Sequence, residues 1–365
     1  MNILAIDPFP SSRRGGQEKS LFDVLIGLKN RGHNIHLAYV EDGDLVNEYN
    51  INGVSAIKVW KTYFSDKSLA CLIKLIGSIF KLARYKYDIV YINEITDVTL
   101  GAGIAALTRS KLICHLRLPP PEIPIFKNKK TIIGLLHGSV KSFIVANNNM
   151  LESYVQAGLP RDKLNIVNNG FWFEKMAVCS TLKVRGSMAS LCYLGRINKE
   201  KGLHTLVEAF DVLLRINPKL ELSIGGIPLN DEDRNYRDKI VSRINELKID
   251  GNVKFYGHID DPIKFLSNHH ICIFPSICNE SFGRVLVESL LAGTPVISRD
   301  VGSASEIIDD RGKHWIYESN KELIEKIQIL IRAPSLYQMK RKREYIKKEY
   351  DLNGIIPKIE KVMLS

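Results

Sequence analysis

Apolar residues along the chain fall into two alternating rhythms. Short apolar runs at 2–6, 35–40, 88–93, 111–115, 142–146 and 164–167 predict strands. The stretch 16–31 behaves differently. It spaces Leu21, Val24, Leu25 and Leu28 along one face, which predicts an amphipathic helix stopped by Gly32. The rhythm pauses over 173–187, a segment without clear period that reads as a linker, and then restarts. Strands are predicted at 190–194, 220–225, 252–256, 271–275 and 295–298. Helices are predicted between them at 204–216, 233–248, 261–268 and 284–292. Such alternation predicts parallel sheets covered by helices on both faces.

The expected fold class is therefore α/β, with two doubly wound, Rossmann-like domains facing across a cleft that holds the ligand. A first domain is expected over 1–172 and a second over 188–350, joined by the linker 173–187. From Lys321 the tail reads as helical and basic, and its last part, 351–365, is expected to return as a helix to the first domain.

Length supports two domains, because 365 residues exceed the roughly 250–300 at which one hydrophobic core stops growing. With 45% hydrophobic and 25% charged residues, the composition is that of a folded globular chain. The N-terminus lacks the basic start and cleavage site of a signal peptide, and no apolar run reaches the length of a membrane span. A cytoplasmic protein is expected. Six cysteines form no CxxC pair, which fits buried thiols in a reducing compartment. His269 and His270 lie close to Cys272, but nothing nearby completes a metal ligand set.

The net charge of +11 changes the picture, since it points to an anionic partner. Nucleic acid is disfavoured, because no recognisable binding module is present. Part of the charge lies in 66–88, where Lys67, Lys74 and Lys81 recur every seven residues among apolar ones and Arg84 joins them. That pattern fits either a basic amphipathic helix on an anionic membrane or a core helix with snorkelling lysines. The run KRKRE at 340–344 adds further charge.

Candidate chemistry concentrates in PSICNESFGRVLVESLLAGTPV at 275–296. An apolar strand ends in a loop holding Glu280. Phe282 and Gly283 then turn the chain into a helix whose first amides favour an anion. Glu280 can accept hydrogen bonds from sugar hydroxyls. Glu288, about 7.5 Å further along the helix axis, suits a second polyol such as a ribose. In YLGRINKEKGL at 193–203, Arg196 and Lys201 sit between a strand and a helix, where a diphosphate would be held. In RRGGQEKSL, Gly15 and Gly16 open a helix and allow close backbone approach. No GxGxxG follows the first strand, which argues against a nicotinamide dehydrogenase.

These segments, with His115 at a strand end, GLPRDKLNIVNNG at 158–170 and FYGHI at 255–259, make the chain similar to the retaining glycosyltransferases of family 4, which have the GT-B fold. The resemblance implies a nucleotide-sugar donor and a glycan or lipid-linked acceptor. Glu280 would contact the donor sugar and Glu288 the ribose, while Arg196 and Lys201 would hold the diphosphate. Gly16 would face the phosphates or the acceptor, and His115 would lie beside the transferred sugar. Phe282 and Gly283 would frame the phosphate end, and backbone around His258 and Ile259 would hold the base. No cofactor or metal is expected, because protein cations and a helix start can stabilise the leaving diphosphate. The loop at Val301-Gly302-Ser303 departs from the pattern of many relatives, and Arg117 receives no role. A nucleotide-sugar 2-epimerase on the same scaffold would need a carboxylate pair in the first domain, and none is evident there. A non-catalytic sugar-nucleotide-binding subunit is the remaining alternative.

Overall fold

The computed structural model describes residues 1–63, 68–120, 126, 131–175, 189–278, 280–309, 312 and 314–365. Most of the expected linker, together with Lys67 and Cys179, lies outside them. The chain forms two compact units. One comprises Met1–Trp172 with Tyr350–Ser365, the other Phe173–Glu349.

The first unit holds seven strands: β1 (Asn2–Ile6), β2 (Asn34–Tyr39), β3 (Ser55–Lys58), β4 (Ile89–Ile92), β5 (Lys111–Leu116), β6 (Ser142–Val145) and β7 (Leu164–Ile166). All pairings are parallel, in the order β3-β2-β1-β4-β5-β6-β7. The second unit holds six: β8 (Ser190–Leu194), β9 (Glu221–Gly225), β10 (Val253–Gly257), β11 (Ile271–Phe274), β12 (Val296–Arg299) and β13 (Ile316–Tyr317). Their order, β10-β9-β8-β11-β12-β13, is again wholly parallel. Central strands β1, β4, β8 and β11 are buried on both faces, which is why they read as near-continuous apolar runs.

Each sheet winds outward in one direction and then reverses, at β1/β4 in the first unit and at β8/β11 in the second. Connections leave the strand ends on opposite sides there and open a crevice at the carboxyl edge, the position where doubly wound sheets bind ligands.

The C-terminal helix Leu352–Leu364 completes the first unit. Leu352, Ile355, Ile356, Ile359, Val362 and Met363 are buried and join the core beside Leu21, Val24 and Leu28 of helix Gly16–Asn30. Gly27 permits this approach, because a Cβ there would lie 2.7 Å from the Ile356 side chain.

Candidate functional site

In the second unit, two loops meet at the β8/β11 reversal. The loop after β8 carries Arg196 and Lys201. Buried Asn198 shapes it by accepting from the Lys201 amide at 3.1 Å, and the Tyr193 hydroxyl donates to the Arg196 carbonyl at 2.7 Å. The loop after β11 carries Glu280 and is laced to the first, since the Ile277 amide donates to the Glu200 carbonyl at 2.8 Å. Gly202 (φ +68°) makes the close approach feasible, because a Cβ would fall 2.0 Å from the Pro275 carbonyl oxygen.

This lacing brings Lys201 and Glu280 together as an ion pair, and Ser276 donates to the same Glu280 oxygen at 2.9 Å. The pair lies largely within the surface, yet both side chains remain partly exposed. Gly302 (φ +53°) backs it from the loop after β12, where a Cβ would lie 2.1 Å from the Glu280 carbonyl oxygen. The departing loop at 301–303 therefore supports the Glu280 backbone.

Gly283 (φ +76°) opens helix Arg284–Ala292, and no side chain caps the first amides. Gly202 similarly opens helix Leu203–Ile216 and offers no capping side chain of its own, although the Tyr236 hydroxyl accepts from the His204 amide at 3.0 Å. Two helix starts thus stand at the carboxyl ends of adjacent strands, each bearing partial positive charge. Phe282 is buried beneath this turn. Glu288 is also buried, and Arg284 Nε stands 3.5 Å from its carboxylate. Arg284 was not anticipated, and its i,i+4 spacing from Glu288 was the available signal.

Along the same rim, Ile259 packs on Gly225 at the end of β9. His258 is close to the exposed Asp260 carboxylate, with Nε2 3.4 Å from Oδ1. Arg196 projects from its loop as an exposed cation.

In the first unit, Gly16 begins helix Gly16–Asn30 directly after the β1 loop. His115, on β5, is fully enclosed and bonded through Nδ1 to the Tyr91 hydroxyl, while its Nε2 has no hydrogen-bond partner among the described residues. Burial and the neighbouring Arg117 push its pKa well below the usual histidine value, so the ring is neutral. A buried orphan nitrogen is rare, and a ligand hydroxyl or a water would satisfy it.

Arg117 proves to be a buried tie. It donates to Asn93 at the end of β4 at 2.9 Å and also to Asn169. Around the β1/β4 reversal, topology also gathers carboxylates. Burial, helped by Glu18 and Glu94 and opposed by the Phe9 amide and Arg14, lifts Asp7 to about 7. Burial holds Asp97 well above the carboxylate range. Asp7 and Asp97 each lie near enough to Glu94 for its charge to raise their pKa values further. The four acids are spread over some ninety residues, so only the fold unites them.

Comparison with known proteins agrees with this architecture. Residues 14–172 match the Glycosyltransferase Family 4 model, and residues 183–349 match the model for Glycosyl transferases group 1. The chain has the two domains of a GT-B glycosyltransferase. Among similar glycosyltransferases is CapM of Staphylococcus aureus, a capsular polysaccharide biosynthesis glycosyltransferase. It is 28% identical over 330 residues, covering 85% of this chain and 83% of CapM. Another, MJ1607 of Methanocaldococcus jannaschii, is 24% identical over 335 residues, covering 82% and 80%. The crystal structure of HepE of Anabaena in complex with UDP and glucose superimposes over 100% of both chains, with a TM-score of 0.84 at 21% identity.

Proposed function

We propose that this glycosyltransferase moves a hexose-type sugar from a nucleoside diphosphate donor to a glycan or lipid-linked acceptor, with retention of configuration and without a metal, in surface polysaccharide or glycolipid synthesis. The observation that carries the reading is the Lys201–Glu280 pair, fixed beside two helix starts at the β8/β11 reversal.

Breaking the anomeric C–O bond sends its electron pair to the departing diphosphate, and positive character grows on the sugar ring. Lys201, Arg196 and the first amides of helix Arg284–Ala292 offer fixed positive charge to that leaving group. Glu280, steadied by Ser276 and Lys201, accepts from donor sugar hydroxyls and sets the ring's orientation. Glu288 would accept from the ribose, with Arg284 holding its carboxylate. The neutral His115 would meet the sugar through Nε2. Retention and the hexose donor rest on the resemblance described above, and the relatives' roles in capsule synthesis support the acceptor class.

Thermal-shift screening of UDP, GDP, ADP and their sugars identifies the donor class, and product NMR reads the anomeric configuration. Glu280→Gln should then cost about 10²-fold in turnover, with melting and nucleotide binding retained. Turnover undiminished in Glu280→Gln, or no nucleotide shifting the melt, overturns the proposal. Turnover that vanishes on chelation and returns with a divalent cation overturns metal independence. One observation favours a second reading: Asp7, near neutrality in its pKa, could serve acid-base chemistry at sugar C2. Deuterium entering C2 from heavy water without any acceptor would identify an epimerase. Wild-type binding without any turnover would identify a non-catalytic subunit.

A further inference from the structure

Helix Leu69–Ala83 resolves the two readings of its sequence by doing something of each. One face is core: Cys71, Leu75, Ser78 and Leu82 are buried against the first unit. The opposite face carries Leu69, Leu72, Ile73, Ile76 and Phe80 at helical spacing, all exposed, with Leu69 71%, Phe80 62% and Ile73 60% accessible. These positions follow i, i+3, i+4, i+7 and i+11, so they form one continuous apolar stripe. A satisfied surface helix would show polar residues there.

Charge and aromatic residues organise one edge of this stripe. Lys74 and Lys81 stand seven residues apart on the same flank. Between them, Gly77 lets half-exposed Trp60 lie close to the helix, since a Cβ at Gly77 would be 3.3 Å from its ring. Lys81 Nζ is 5.1 Å from the Trp60 ring centroid. Arg84, Tyr85 and Lys86, all exposed, extend the edge past the helix end. No Asp or Glu occurs from 68 to 87.

We propose that this face is the site at which the enzyme docks on an anionic bilayer surface, with the stripe entering the acyl boundary. Trp60 and Tyr85 would lie at headgroup level, and the cations against lipid phosphates. A second copy of the chain fits less well, because a symmetric pairing would set the two lysine rows against each other. The docking also has a use. A cavity of about 270 Å³, lined by Phe9, Trp60, Tyr63 and the charged Glu41, Lys61 and Lys74, opens beside the helix start and reaches the loop after β1. A headgroup at the membrane would face this cavity. Two cations of the basic run at 340–344 are engaged inside the second unit: Lys342 is buried, donating to the Ile308 and Asp309 carbonyls, and Arg341 pairs with Asp309.

The proposal goes beyond the transfer reaction and is tested apart from it. Purified full-length protein is floated with vesicles of phosphatidylcholine alone and with added phosphatidylglycerol, at low and high salt. Binding is expected only to the anionic vesicles, weakened by salt. Lys74→Gln with Lys81→Gln removes two cations worth about fivefold each and lowers partition about 25-fold. Ile73→Ser with Phe80→Ser abolishes binding, while melting temperature and nucleotide-induced thermal shift stay as in wild type. The proposal is overturned if wild type ignores anionic vesicles, or if the Ser variant floats equally well. It is also overturned if sedimentation shows a dimer that the Ser variant dissolves.

Discussion

Replacing Asp7 by Asn removes a carboxyl whose ionisation the fold opposes. Its ordinary value of 3.8 rises to about 7, chiefly through burial at the carboxyl edge of β1, with Glu18 and Glu94 adding repulsion. At about 1.4 kcal/mol per pH unit, ionising Asp7 in the folded protein costs about 4 kcal/mol more than in the unfolded chain. Water reaching the rim returns part of this, so about 2–4 kcal/mol is expected in measurement. The sign follows from proton counting. Below about pH 4 both states hold the proton and the cost is absent. Between about 4 and 7 the unfolded chain is ionised and the folded one is not, so wild-type stability falls as pH rises, and it levels off above about 7. Asp7→Asn should therefore match wild type near pH 4 and exceed it by about 2–4 kcal/mol near pH 8. Urea unfolding measures the difference. A Trp315→Phe background leaves Trp60 and Trp172, both in the first unit, as reporters. A gap that stays constant with pH, or widens as pH falls, refutes the reasoning.

Gly302→Ala should distort the loop holding Glu280, since its Cβ would meet the Glu280 carbonyl oxygen at 2.1 Å. The expected cost is about 1–3 kcal/mol together with a fall in kcat. Gly251→Ala, with nothing within 4 Å of the new Cβ, serves as the control in the same melting and transfer assays. Deleting 351–365 strips six buried apolar side chains from the first unit. At about 1.5–3 kcal/mol each, the loss is on the order of 10 kcal/mol, comparable to a domain's whole stability. The truncated chain should be insoluble, and a soluble form melting like wild type would contradict this packing.

The parallel sheets were legible because strands buried on both faces leave unbroken apolar runs, as in β4 and β11. Edge strand β3, half-exposed over Ser55–Lys58, and the two-residue β13 left no such trace. Helix Val98–Thr108 escaped for the opposite reason: it is apolar and small nearly all round, so it shows no period. In the second unit, the loops bearing Lys201 and Glu280 announced themselves through local glycine and charge patterns, although their direct pairing, 79 positions apart, did not. In the first unit, Asp7, Glu94, Asp97 and Arg117 carry no local signature. Their proximity is a product of strand order alone.

The returning C-terminal helix has a consequence for how the protein is made. After Trp172 leaves the ribosome, roughly 190 residues must still be synthesised before Leu352–Leu364 is fully available. At about 5–20 residues per second that is on the order of 10–40 s. Throughout it, the nascent first unit exposes the apolar groove that Ile355, Ile356 and Ile359 will fill. The second unit can finish folding inside that interval, so the half translated first is the half completed last. Any chain cut short by a premature stop keeps an open groove that chaperones and proteases can bind.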